Sequence, residues 1–288
     1  MTAHTPLPFD IDLKNKVAVV TGGAGVLGAA MCRALAQCGA KVVIIGRDLA
    51  KAERLAESIN ETGGFAQGMS CNVLDRDALI NAAEHIASTL GPCDILINGA
   101  GGNHPKGITG QEYFDAETAG KDASQTSFFD LDTEGFKFVF DLNLMGTLLP
   151  SQVFAKQMLG RPGCSIINIS SMSAFRPLTK VAAYSGAKAA VSNFTQWLAV
   201  HLGQSGIRVN AIAPGFFITE QNQKLMLQED GSFTPRAQKV IAQTPMRRFG
   251  DASELIGALL WLAEPKASGF VTGSIIAVDG GFSAYAGV

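Results

Sequence analysis

Seven short stretches of the chain are apolar at nearly every position: Val17 to Val20, Lys41 to Ile45, Phe65 to Met69, Asp94 to Ile97, Ser165 to Ile169, Arg208 to Ile212 and Ser274 to Val278. A strand with one face in water alternates apolar and polar residues. A strand covered on both faces reads as a continuous apolar run, which is the pattern of a parallel sheet. Between the runs, apolar positions recur at helical spacing at about 26 to 38, 48 to 62, 75 to 90, 136 to 159, 182 to 203 and 251 to 263. This alternation predicts one doubly wound α/β domain over residues 1–288, with a mostly parallel sheet of about seven strands.

Two segments break the rhythm. Residues 101–134 are polar and rich in Gly, Thr, Ser and acids, and residues 216–244 carry several polar side chains and Pro235. Both exceed the usual strand-to-helix connection. Both also leave carboxyl ends of predicted strands, where open α/β sheets bind ligands. They are expected to cover a substrate; the alternative is plain surface insertion.

Composition narrows the partners. With 288 residues, 47% hydrophobic and 17% charged, the chain has the makeup of a well-buried globular protein. A net charge of −2 offers no electrostatic handle for nucleic acid or a membrane surface, which leaves small molecules as the expected ligands. No apolar run approaches the ~18 to 20 residues of a membrane span. Met1 to Asn15 lacks a basic start followed by an apolar core, so a cytoplasmic location is expected. The five cysteines, Cys32, Cys38, Cys71, Cys93 and Cys164, have no metal-ligand spacing and read as free thiols, and the four histidines are scattered. No metal site is expected.

The chemistry gathers around Tyr184-Ser185-Gly186-Ala187-Lys188. A tyrosine and a lysine four apart on a helix share a face. The ammonium is expected to favour the phenolate and lower a phenol pKa that starts near ~10. Ser171 ends a predicted strand thirteen positions earlier, where its hydroxyl could bond the same substrate oxygen. Together they could protonate a carbonyl oxygen or deprotonate an alcohol.

Upstream, the first strand runs directly into Thr21-Gly22-Gly23-Ala24-Gly25-Val26-Leu27-Gly28 and an alanine-rich helix. Glycines there let main-chain N–H groups approach a pyrophosphate at the helix N-terminus, and Gly23, Gly25 and Gly28 fit the Gly-x-Gly-x-x-Gly dinucleotide pattern. The second strand ends Gly46-Arg47-Asp48. A carboxylate at such a strand tip would accept ribose hydroxyls of NAD, whereas an arginine would pair with the 2′-phosphate of NADP. Arg47 inclines the reading slightly to NADP, and Asp48 could instead cap the next helix.

Taken together these residues resemble the short-chain dehydrogenase/reductase family over essentially the whole chain. The matching pieces, in order, are Thr21-Gly22 to Gly28, Asn98-Gly99-Ala100-Gly101, Asn143, Ser171, Tyr184 with Lys188, Pro214-Gly215 through Thr219, and Val278-Asp279-Gly280-Gly281. The resemblance implies a Rossmann fold, NAD(P)(H) as cofactor and a catalytic tetrad of Asn143, Ser171, Tyr184 and Lys188. In it Tyr184 exchanges the proton, Ser171 orients the substrate oxygen, Lys188 binds the nicotinamide ribose and lowers the tyrosine pKa, and Asn143 holds a water leading to solvent. It further implies cofactor contacts at Gly22, Gly23, Gly25, Val26, Leu27, Gly28, Arg47, Asp48, Asn72, Val73, Asn98, Ala100, Gly101, Tyr184, Lys188, Pro214, Gly215, Phe217 and Thr219. Val26 departs from the family's usual loop glycine, Gly99 from its asparagine pair, and Asn72 from a common aspartate that accepts from the adenine amino group.

A narrower resemblance, carried by Asn98 to Pro105, Phe128 to Leu131, Ser171 to Pro177 and Pro214 to Asn222, is to the D-mannonate oxidoreductase (fructuronate reductase) branch. It implies interconversion of D-fructuronate and D-mannonate in hexuronate metabolism, while related branches act on gluconate and polyols. A hexuronate needs a cation for its carboxylate, and Arg176, five residues beyond Ser171, is the first candidate. The alternative is a solvent-facing or helix-capping arginine. Asn103, His104, Ser173, Gln221 and Asn222 are the candidates for the sugar hydroxyls. Other readings kept open are a reductase of gluconate/polyol or 3-oxoacyl type and a non-catalytic nucleotide-binding scaffold. The family usually forms dimers or tetramers, so a homo-oligomer is expected.

Overall fold

The computed structural model describes residues 10–117, 126–218 and 223–287. Seven strands form one parallel sheet: β1 (Val17–Thr21), β2 (Lys41–Gly46), β3 (Phe65–Ser70), β4 (Ile95–Asn98), β5 (Ser165–Ile169), β6 (Arg208–Pro214) and β7 (Ile275–Val278). Their order is β3-β2-β1-β4-β5-β6-β7, so the winding reverses between β1 and β4, and every pairing is parallel. This is the seven-stranded Rossmann-type fold that the apolar runs predict. The central strands β1, β4, β5 and β6 are buried along their whole length, because helices cover both faces.

One layer packs Val20, Ile44, Ile97, Ile167 and Ile212 against α1 (Val26–Gln37), α2 (Leu49–Glu61) and α9 (Ile256–Ala263). The other packs Val19, Val43, Leu96 and Ile166 against α3 (Arg76–Thr89), α5 (Gly146–Met158) and α6 (Ala182–Leu202). At the amino end of the sheet Asp94, 4% exposed, accepts from the Val17 amide at 2.9 Å and from Arg161 Nη2 at 2.5 Å.

The sequence reading needs two corrections. The helix expected over 136–159 is interrupted: α4 (Thr133–Phe140) passes through a π turn at Asp141–Met145 into α5. The cause is Asn143, whose side chain turns away to bond the backbone of Gly102, and such a turn commonly marks a functional position. By length and mean hydropathy alone, Thr133–Met158 is apolar enough to cross a membrane, although it holds no unbroken apolar run, and half of its most apolar stretch is buried in the fold. The second correction lies within 216–244, which contains two helices, α7 (Gln223–Met226) and α8 (Pro235–Gln243), the latter capped by the Thr234 hydroxyl. The short α10 (Pro265–Ser268) precedes β7.

Candidate active site

The carboxyl edge of the sheet collects the chemistry. β5 delivers Ser170 and Ser171, and the Ser170 hydroxyl bonds the Lys188 carbonyl at 3.2 Å and the Ser192 hydroxyl at 2.6 Å, which fastens α6 to the strand end. Ser171 caps a short turn at Met172–Ala174 and stands next to Tyr184, whose phenol it pulls toward the ionised form. Its oxygen accepts from the Ser173 amide at 3.2 Å and hydroxyl at 3.0 Å, so Ser173 steadies Ser171 and is itself buried. Lys188 Nζ lies 5.7 Å from the Tyr184 ring centroid and donates to the Ile169 carbonyl at 2.7 Å.

Burial controls the titration here. It lowers the Lys188 ammonium from 10.5 to about 8. It also pushes the Tyr184 phenol up, with the Ser171 hydrogen bond pulling the other way. This corrects the expectation that the ammonium lowers the phenol pKa: Lys188 is directed at a backbone carbonyl, and desolvation is the larger effect.

Asn143 is fully buried, its amide nitrogen donating to the carbonyls of Gly102 at 2.8 Å and Val139 at 2.7 Å. Gly101 runs between the two groups: a Cβ there would stand 2.7 Å from Asn143 Oδ1 and 3.2 Å from Lys188 Nζ. The structure therefore brings Asn143, Ser171, Tyr184 and Lys188 to one edge, around the loop that leaves β4.

The glycine turn after β1 sits on the same edge. Gly22 has φ +65°, and a Cβ on it would meet the Gly99 carbonyl at 2.7 Å, so only glycine lets the two loops touch. Gly25 is the N-cap of α1 and no side chain caps that end. The first-turn amides around Val26, Leu27 and Gly28 are thus free of side-chain competition for a pyrophosphate. Gly46 opens onto space, with no atom within 4 Å of a Cβ built on it. Arg47 beside it is exposed, and Asp48 caps α2 by accepting from the Lys51 amide at 3.0 Å. The Asn72 side-chain oxygen accepts from the Leu74 amide at 3.1 Å, and Val73 is buried. Ala100 and Gly99 donate their amides to the Thr21 hydroxyl. Gly215 bonds Val278 through its amide, while the Phe217 ring turns into the core and leaves only its backbone near the edge. The cradle fits a dinucleotide.

On the substrate side, Asn103 Oδ1 accepts from the His104 amide at 2.9 Å, and His104 Nδ1 accepts from the Lys106 amide at 3.2 Å. The His104 ring lies 5.0 Å from Phe138. Arg176 is exposed and its Nε donates to the Ser283 carbonyl at 2.8 Å. Pro214 closes β6; Thr219, Gln221 and Asn222 lie outside the described residues.

Sequence reasoning missed a buried polar chain behind the site. Asn98 Nδ2 donates to the Ser151 hydroxyl at 2.9 Å and to Asn168 Oδ1 at 2.8 Å; Ser151 donates to the Thr147 carbonyl, and the Thr147 hydroxyl to the Asn143 carbonyl at 2.8 Å. On the other side Asn168 donates to the Thr195 hydroxyl. Polar residues at otherwise apolar helix and strand positions were the available signal.

Fold and site together define the class. Residues 16–230 match the short chain dehydrogenase family, and the chain belongs to it. It is an NAD(P)-dependent oxidoreductase acting on alcohol groups. An uncharacterized oxidoreductase of Bacillus subtilis, UxuB, is 51% identical over 282 residues, spanning 98% of this chain and 100% of that protein. A crystal structure of a candidate D-mannonate oxidoreductase from Haemophilus influenzae, with bound NAD, is 48% identical, covers 98% of this chain and 100% of its own, and superimposes with a TM-score of 0.93. The 2-dehydro-3-deoxy-D-gluconate 5-dehydrogenase of Formosa agariphila is 32% identical over 277 residues, 96% of each chain.

Proposed function

We propose that this protein interconverts a sugar acid and its keto form, with D-mannonate and D-fructuronate as the pair, in hexuronate breakdown. The reaction rests on one observation, the placement of Ser171 and Lys188 against Tyr184, with Lys188 Nζ 5.7 Å from the phenol ring. The choice of sugar acid rests on the likeness to the Haemophilus influenzae protein and on Arg176 beside the site.

In this reading Tyr184 Oη takes the proton of the substrate hydroxyl during oxidation and returns it during reduction. Ser171 Oγ holds the same substrate oxygen, and Lys188 holds the nicotinamide ribose. Asn143 connects Lys188 to solvent through a water. A bound dinucleotide supplies the hydride acceptor or donor at its nicotinamide. Gly22, Gly23, Gly25, Val26, Leu27 and Gly28 hold its pyrophosphate, Arg47 and Asp48 flank its adenosine ribose, and Asn72 and Val73 the adenine. Asn98, Ala100, Gly101, Pro214, Gly215, Phe217 and Thr219 line the rest. Asn103, His104, Ser173, Gln221 and Asn222 serve the sugar hydroxyls, beneath covering segments at 101–134 and 216–244 of a single domain. Free thiols accord with a reducing cytoplasm. The exposed Trp197 and Val200 on α6 accord with a homo-oligomer, dimer or tetramer.

The test is a panel of D-mannonate, D-gluconate, a polyol and a 3-oxoacyl thioester, each with the matching oxidised or reduced forms of NAD and NADP. Preferred turnover of D-mannonate is expected. Preference for the thioester or the polyol refutes the sugar-acid reading.

A further inference from the structure

The carboxyl-terminal turn after β7 touches the loop that follows β6, the stretch at Met246 and the segment that follows Ser171. Asp279 Oδ1 accepts from the Gly281 amide at 2.9 Å and Oδ2 from the Ser283 amide at 2.8 Å, folding 279–283 into a tight turn. The turn is wedged against the strand before it in space: a Cβ on Gly215 would stand 2.5 Å from Asp279 Cα. The Phe282 ring meets Phe216 edge-on at 5.3 Å, and the Gly280 carbonyl accepts from the Met246 amide at 3.1 Å. Ser283, fixed in this way, presents its carbonyl to Arg176 Nε at 2.8 Å across 107 residues of sequence.

A guanidinium has five N–H donors in a rigid fork. The Ser283 carbonyl occupies Nε, and among the described residues no other side-chain hydrogen bond or ion pair of Arg176 is seen, which leaves the two terminal nitrogens for a planar anion. An exposed arginine is ordinarily a mobile point of charge. Here one end of the fork is held by a turn that is itself anchored to the loop following β6.

We propose that the Asp279 turn aims Arg176 at the carboxylate of the substrate, so that Asp279 and Ser283 are positioning residues for acid recognition. This rests on the sugar-acid reading above. Arg176 then selects the acid over its neutral derivatives, and the selectivity depends on a half-buried carboxylate in a different part of the chain.

The test compares kcat/KM for D-mannonate with that for D-mannonamide, in which a neutral amide replaces the carboxylate. In Asp279→Ala the acid should lose about tenfold or more, chiefly through KM, the scale of one charge-assisted hydrogen bond, while the amide changes less than about twofold. Arg176→Lys, a substitution on the surface, keeps the charge but not the aimed fork and should lower the same ratio. Equal losses for acid and amide in Asp279→Ala, or no change in the ratio in either variant, overturn the proposal. So does a wild-type enzyme that turns over acid and amide equally well. If the wild type turns over neither, the sugar-acid reading fails, and hydrogen exchange at the Gly281 and Ser283 amides judges the clasp separately. Faster exchange in Arg176→Ala upholds the contact, and unchanged exchange removes it.

Discussion

Lys188 is held as a cation at a stability cost that its pH dependence should expose. The side chain belongs to a residue only 4% exposed, and burial brings its pKa from 10.5 to about 8. At ~1.36 kcal/mol per pKa unit this difference corresponds to about 3 kcal/mol. The unfolded chain holds the lysine proton more tightly than the folded one, so stability rises with pH between about 8 and 10.5 and is flat on either side. Lys188→Met removes the titration. It also deprives the Ile169 carbonyl of its donor, a loss that does not vary with pH and cancels between two pH values. Denaturant unfolding of both proteins at pH 7.5 and pH 10.5 should show the wild type gaining about 3 kcal/mol relative to the variant. Stability differences that agree within about 1 kcal/mol at the two pH values would refute the claim that Lys188 is a desolvated cation.

Thr147→Val strips the hydroxyl donor from the Asn143 carbonyl, which should cost about 1–3 kcal/mol in denaturant unfolding and lower kcat more than it weakens NAD(P) binding. Gly46→Asp places a carboxylate in the open space at the β2 tip; the ratio of kcat/KM with NADP to that with NAD should fall by about tenfold or more. Asp94→Ala removes the acceptor of the Val17 amide and of Arg161 Nη2 at the end of the sheet remote from the site, while Arg161 Nη1 keeps the Cys93 and Gln157 carbonyls. Unfolding experiments should show a loss of about 1–3 kcal/mol, with kcat unchanged where the protein is folded.

The central strands were legible because both faces of the sheet are covered there, which writes each as an unbroken apolar run; the edge strands β3, exposed at Phe65 and Ser70, and β7, exposed at Ala277, are less covered, and β2 is fully buried only between its ends. Helix α6 was legible because its face repeats every three to four residues, and the Tyr184 to Lys188 spacing rides on that repeat. The π turn was hidden because its cause is a bond from Asn143 to Gly102, forty-one residues away, which no local pattern encodes. Helix α8 was hidden by its polarity: Ala237 is its one buried residue, and Thr234 with Pro235 supplied a capping signal without an apolar stripe. The link from Arg176 to Ser283 and the polar chain from Asn98 to Asn143 are likewise products of tertiary packing, in which each partner looks ordinary in its own segment.

Proton exchange at Tyr184 is the central step of the proposed reaction. The most direct measurement is turnover of D-mannonate by the wild type and by Tyr184→Phe, with NAD(P) affinity determined by titration calorimetry on the same samples. The Phe variant keeps the ring beside Lys188 and loses only the hydroxyl next to Ser171. Turnover should fall by at least the ~10² to 10⁴ that a positioned acid or base contributes, with cofactor affinity changed less than about threefold. Retention of more than about a tenth of wild-type turnover would contradict the assignment of Tyr184 as the proton-exchanging group.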